Sequence, residues 1–215
     1  MAGQAPFSIV PAHRRHVDGI VRCHVAAFAG QFLTLLGPGF LRAYYDFYVS
    51  APGAINLVAE GTGGSVLGFV SGGAPGLRRD FTRRQVPRFA ATILRRAVAD
   101  RRVRRRLGVH LAGAARAFLG RLGWPVPPPD EPPMDPPGTW SVLLSIGVLP
   151  EAGGRGVGRA LMEGFRRASA DRGYRCMHLS VHNDNAAAIR LYSASGWKVI
   201  ATTPGGTYFR RDVGD

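Results

Sequence analysis

Between Ile146 and Leu161 the chain runs Ile-Gly-Val-Leu-Pro-Glu-Ala-Gly-Gly-Arg-Gly-Val-Gly-Arg-Ala-Leu. An apolar, strand-like run leads into Gly153, Gly154, Gly156 and Gly158, and a helical pattern follows. Glycines let a backbone adopt positive φ and approach a ligand closely. The unpaired N–H groups and the dipole at the start of a helix favour an anion there. Arg155 and Arg159 add positive charge beside it. The chemistry that suits this pattern is the cradling of a diphosphate. It is not a P-loop, because Arg159-Ala160 follows Gly158 where that motif needs Lys-Ser/Thr. It is not a dinucleotide fingerprint, because the spacing is GxGxG and the next apolar run ends in Val181-His182, without an acidic residue. A tight structural turn is the alternative.

A second pattern follows about 30 residues later: Asn185-Ala-Ala-Ala-Ile-Arg-Leu-Tyr192, then Gly196-Trp197. In this order the two patterns resemble the GNAT superfamily of CoA-dependent N-acetyltransferases. Its signatures are Arg/Gln-x-x-Gly-x-Gly/Ala after a strand, and Asn-x-x-Ala-x-x-Leu-Tyr one strand further on. Gly153 stands where the family has Arg or Gln, which removes one side-chain contact but keeps the backbone cradle. The resemblance covers about residues 7–71 and 139–211. It implies an α/β (α+β) fold with a mixed, mostly antiparallel central sheet flanked by helices. The implied reaction moves an acetyl group from acetyl-CoA to a primary amine of a small-molecule, sugar or peptide acceptor. By the same resemblance Ile146, Gly147 and Val148 run along the pantetheine arm. Gly153, Gly154, Arg155, Gly156, Val157, Gly158 and Arg159 meet the pyrophosphate, Asn185 contacts the cofactor, and Tyr192 protonates the departing thiolate. A phenol is a usable acid toward a thiolate; the plain alternative for Tyr192 is a core aromatic on an amphipathic helix. Many relatives keep a carboxylate base on the fourth strand, but residues 139–148 contain none. Glu60, His182, Ser145 and Tyr208 are left as candidates. Phe32, Tyr44 and Tyr45 fall in the region that lines the acceptor site in relatives.

The elements that must position these residues follow from periodicity. Val17, Ile20, Val21, Val25 and Phe28 recur at helical spacing, as do Phe40, Tyr44, Phe47 and Tyr48, predicting helices over 13–29 and 39–49. Strands are predicted over 7–10, 54–60 and 66–71, the last two joined by the Gly61–Gly64 hairpin signal. Further strands fall over 140–148 and 176–181, helices over 156–171 and 185–195, and a closing hairpin over 197–211. Gly173 and Gly196 are the helix stops. Alternating β and α segments imply a mixed sheet with helices on both faces.

One segment does not fit this frame. Of the net charge of +14, the stretch from Leu77 to Trp124 carries +12, with 14 arginines against Asp80 and Asp100. Residues 79–122 predict two helices broken near Gly108, and the prolines from Pro125 to Pro137 a stiff connector. The chain is thus expected to be one domain, 1–215, with an Arg/Pro-rich insertion over about 76–138 between the third and fourth strands. Deleting it is expected to spare CoA binding but remove acceptor turnover. Clustered arginines favour an acidic amine acceptor. They also leave a second class open, a protein that binds nucleic acid or a membrane surface, although few aromatics and no docking motif speak against nucleic acid. A third reading gives Phe89, Ile93, Leu94, Leu107, Leu111, Phe118 and Leu119 to a tunnel for a longer acyl chain, carried on CoA or an acyl carrier protein. Neither HExxH nor paired Cys/His sets occur, so no metal is expected. Cys23 and Cys176 are expected to be reduced core residues. With no leader pattern and no run of about 18 apolar residues, the cytoplasm is the expected compartment. A homodimer is left open.

Overall fold

The computed structural model describes residues 7–105, 107–108, 134–136 and 138–215. Seven strands form one sheet in the order β1-β2-β3-β4-β5-β7-β6. They are β1 (Ser8–Pro11), β2 (Ala54–Glu60), β3 (Val66–Gly73), β4 (Trp140–Val148), β5 (Cys176–Val181), β6 (Lys198–Thr203) and β7 (Gly206–Asp212). Every pairing is antiparallel except β4 with β5. The expected mixed, mostly antiparallel sheet is present, and each predicted strand lies within two residues of its observed limits.

Helices α1 (Val17–Ala27) and α3 (Pro38–Ser50) cover one face of the sheet, and α6 (Val157–Ala170) covers the other. The alternation along β3 separates the two layers. Phe69 stacks against His24 of α1 and Tyr45 of α3. Gly68 and Gly72 lie under Leu161 and Phe165 of α6, so close that a Cβ on Gly72 would stand 2.8 Å from the Phe165 ring. Helix α6 buries Val157, Leu161 and Phe165, four residues apart, the stripe that its 3.6-residue period predicts. A short helix α2 (Phe32–Leu35), between the two predicted helices, joins α1 to α3. Helix α7 (Ala186–Ser193) follows β5.

The insertion departs from its predicted form. Helix α4 (Leu77–Gln85), a 3-10 turn (Val86–Phe89) and α5 (Ala90–Ala99) come before the first break. That break is at Asp100, in extended backbone (φ −126°, ψ 116°); Gly108 is itself helical, and the residues directly after it lie outside those described. Residues 101–105 resume a helix. Most of the proline connector, and Leu111, Phe118 and Leu119 of the expected acyl tunnel, lie outside the described residues. Phe81 of α4 is 3% exposed and packs among Phe40, Tyr44, Phe47 and Tyr48 of α3. The insertion is therefore rooted in the core, and a deletion beginning at residue 78 would uncover the four rings that pack on Phe81 rather than trim a surface arm.

Candidate functional site

The site begins with a mismatch between two strands. β4 and β5 pair only at Trp140↔Cys176, Ser141↔Met177 and Val142↔His178. Beyond that point β5 continues on β7 alone, through Leu179 to Val181. β4 continues on β3, but with one residue too many: Ser71 opposes Ser145 while Gly72 opposes Leu143, so Leu144 is a bulge. A bulge bends and twists its own strand, which turns the second half of β4 away from β5. The edge of β4 that faces β5 is left without a ladder partner from Leu143 to Val148. Backbone groups in such an edge are a template for any extended chain that enters.

That wedge is the narrow part of a cleft of about 820 Å³. Ile146, Gly147, Val148 and Gly158 line one flank, and Val181, His182, Asn185 and Tyr192 the other. At its wide end β4 runs into the glycine turn. Gly154 (φ +72°) and Gly156 (φ +78°) adopt the left-handed backbone that other residues avoid, and Gly156 is the N-cap of α6. A Cβ built on either would meet nothing within 4 Å, so the turn opens onto free space. The first N–H drawn back into α6 is that of Ala160, bonded to Gly156 O at 2.9 Å. The N–H groups of Val157, Gly158 and Arg159 precede it, as the first turn of any helix requires. Gly147 has a different reason to be glycine: a Cβ there would lie 2.9 Å from the Phe69 ring and 3.2 Å from Ala27 Cβ.

Asn185 caps α7, its side-chain oxygen accepting the Ala188 N–H at 3.1 Å. The Asn-x-x-Ala spacing therefore has a structural use, whatever else Asn185 touches. Asn185→Ala is expected to cost about 1 kcal/mol, measured by denaturant unfolding; a fall in CoA affinity beyond that would reveal a direct contact. Tyr192 is 8% exposed, held edge-on by Trp197 and Phe209, and burial pushes its hydroxyl up to about 12.

The candidate bases separate. Glu60 lies 3.8 Å from buried His16 and is not among the cleft-lining residues. Ser145, His182 and Tyr208 do line the cleft, as do Phe32 and Tyr44. Tyr45 does not; it is buried at 1% exposure with its hydroxyl 2.6 Å from His24 Nδ1. Burial brings His24 down to about 4, so it is neutral at ordinary pH. Of the proposed acyl tunnel, Phe89 packs on Phe40, Leu94 is 65% exposed, and none of Phe89, Ile93, Leu94 and Leu107 lines the cleft.

Sequence reasoning missed a polar cluster at the closed end of the wedge. Asp135, on the return leg of the insertion, brings Oδ2 to 2.7 Å from His178 Nε2, 3.1 Å from Arg210 Nε and 3.3 Å from Cys176 Sγ. Burial works to raise its carboxyl, but these hydrogen bonds outweigh it and hold Asp135 at about 2. Burial, with Asp135 adding to it, pushes the Cys176 thiol up to about 11, so it stays protonated. Cys176 and His178 alternate on β5, a visible signal; Asp135, 43 residues before His178, is not. Among the described residues that line the cleft there is no carboxylate, and Arg78 is its one fixed charge.

A sheet parted at a bulged strand, with a glycine-rich helix start at the mouth, defines an acyl-CoA-dependent transferase fold. The profile of the Acetyltransferase (GNAT) family matches residues 37–197, and the chain belongs to that family. Members of that family are acyltransferases, and acetyl-CoA is their typical donor. The mycothiol acetyltransferase of Frankia alni is 41% identical over 69 residues, which are 32% of this chain and only 20% of that relative's length. Among solved structures, SsHAT has a TM-score of 0.59 at 23% identity, over 97% of this chain and 99% of its own. The aminoglycoside N-acetyltransferase AAC(6′)-Iy, solved in complex with CoA, has a TM-score of 0.58 at 13% identity, over 92% and 91%. These structural likenesses are likenesses of fold. Among the described residues, no helix is long and apolar enough to cross a membrane.

Proposed function

We propose that the whole chain acts as one N-acetyltransferase domain that moves the acetyl group of acetyl-CoA to a primary amine on an acceptor bearing negative charge. The observation that carries this reading is the unpaired edge of β4, leading from Leu143 to Val148 into the open glycine turn. Bound acetyl-CoA would supply the activated thioester. Ile146, Gly147 and Val148 would offer backbone hydrogen bonds to its extended arm. The N–H groups from Gly153 to Gly158, with Arg155 and Arg159, would hold the diphosphate at the start of α6. Asn185 would keep the start of α7 beside the arm. Among the described residues, the lack of lining carboxylates and the presence of Arg78 speak for an anionic amine over a polycationic one, which would lack counter-charge.

Tyr192 would face the departing sulfur. With its hydroxyl near 12, it remains protonated through the working range, and full transfer to a thiolate of ordinary basicity, near 8.5, is uphill. Its contribution is therefore a hydrogen bond donated as negative charge develops on sulfur. Tyr192→Phe is expected to lower turnover about 10²-fold with CoA affinity nearly unchanged. Steady-state kinetics beside a CoA-induced thermal shift tests both halves. Turnover within twofold of the wild type would remove Tyr192 from the reaction.

A further inference from the structure

The acyl-transfer reading leaves one proton without a destination, because the attacking amine must lose it and β4 carries no carboxylate. His178 stands at Val142↔His178, the last rung of the β4–β5 ladder, where the two strands part and the wedge closes. Its ring meets Trp140 at 4.9 Å, and both residues line the cleft. The Asp135 hub fixes its tautomer. Held ionised by Arg210, Asp135 Oδ2 can only accept, so His178 Nε2 must carry the hydrogen it donates at 2.7 Å. The lone pair is then on Nδ1. That nitrogen is buried and has no hydrogen-bond partner among the described residues. Buried polar atoms are seldom left in that state, and hydrogen bonds that a reaction uses are often completed only when substrate arrives.

This arrangement differs from a metal centre. Of the three groups that converge within 4.8 Å, Asp135 accepts from the other two, Cys176 and His178, with the Arg210 guanidinium on the same oxygen. It has instead the logic of a carboxylate–imidazole dyad, in which the acid holds one ring nitrogen so that the other can take a proton. Resting on the acyl-transfer reading, we propose that His178 is the general base of the reaction and that Asp135, delivered by the insertion, is its positioning residue. The amine lone pair forms the bond to the acyl carbon as the carbon–sulfur bond breaks, its electrons leaving on sulfur. The proton released by the nitrogen passes to His178 Nδ1 and then to solvent. The charged or titratable groups that face the ring are Asp135, Arg210 and Cys176. Burial outweighs Asp135 and holds the imidazole below its ordinary value, so it is in the accepting form at neutral pH.

His178→Gln separates base from clasp, because the glutamine amide can still donate to Asp135 while the Nδ1 acceptor is gone. With the best amine from a panel of amino acids, sugar-amine phosphates and acidic dipeptides, kcat/KM is expected to fall at least 10²-fold at pH 7. The deficit should shrink as pH approaches the amine's own pKa, where the acceptor arrives uncharged. The CoA-induced thermal shift should stay at the wild-type value. In the unliganded wild type, nitrogen-detected NMR is expected to give a protonated Nε2 and a bare Nδ1 for His178. Retained turnover in the variant, a loss that high pH does not relieve, or a protonated Nδ1 would each overturn the proposal while leaving the family reading intact. A wild-type protein that neither binds CoA nor cleaves acetyl-CoA would instead remove the acyl-transfer reading, and this proposal with it.

Discussion

Gly156→Val is expected to abolish CoA binding in a protein that still folds. At φ +78° a β-branched residue is strained by about 1–2 kcal/mol, a fraction of the stability of an ordinary domain. Among the described residues, none beyond the adjoining backbone lies within 4 Å of the new Cβ, so the side chain projects into the space where a diphosphate would approach the start of α6. The strain and the obstruction can be separated at Gly158. Its backbone is helical, it lines the cleft, and a Cβ there would touch only Val148 Cγ2 at an ordinary 3.7 Å. Gly158→Ala should therefore leave stability unchanged or raise it by up to about 1 kcal/mol, since glycine disfavours helix, and yet weaken CoA. Calorimetric titration and denaturant melts of the two variants give four numbers. Wild-type CoA affinity in Gly156→Val would make the turn merely structural.

How much of this was legible beforehand depended on the range of the signal. The cradle and α7 were readable because glycine spacing and an N-cap act within a few residues, and local chemistry leaves a local pattern. The cause of the parted strands, a bulge at Leu144, depends on register with β3 and leaves no mark in β4 alone. The break at Asp100 has no glycine or proline to announce it; extended backbone there ends α5. The resemblance places Gly147 along the pantetheine arm; why that position holds a glycine, packing against Phe69 and Ala27, shows only in the folded chain. The His178 dyad was invisible for the plainest reason: one half lies on β5, the other in a proline-rich connector, and only the folded chain brings them within 2.7 Å.

Phe81→Ala is expected to destabilise the protein by about 3–5 kcal/mol, the usual cost of emptying a large aromatic site in a core. The +12 segment invites the view of a dispensable arm, but Phe81 is 3% exposed, with ring centroids at 4.9 Å from Tyr44, 5.5 Å from Phe47, 5.8 Å from Phe40 and 6.2 Å from Tyr48. Leu94, on α5 and 65% exposed, provides the contrast: Leu94→Ser should change stability by no more than about 0.5 kcal/mol. The functional consequence follows from position. Arg78 lies one turn before Phe81 at the cleft, and Asp135 lies at the other end of the insertion against His178. Loosening α4 should raise the acceptor KM more than it weakens CoA, whose proposed cradle lies on β4 and α6. For this reason a deletion of residues 78–137 would not separate the two functions cleanly: it removes a core anchor and a positioning carboxylate together. Urea unfolding of both variants checks the energetics, and a Phe81→Ala cost below about 1 kcal/mol would return the insertion to the surface.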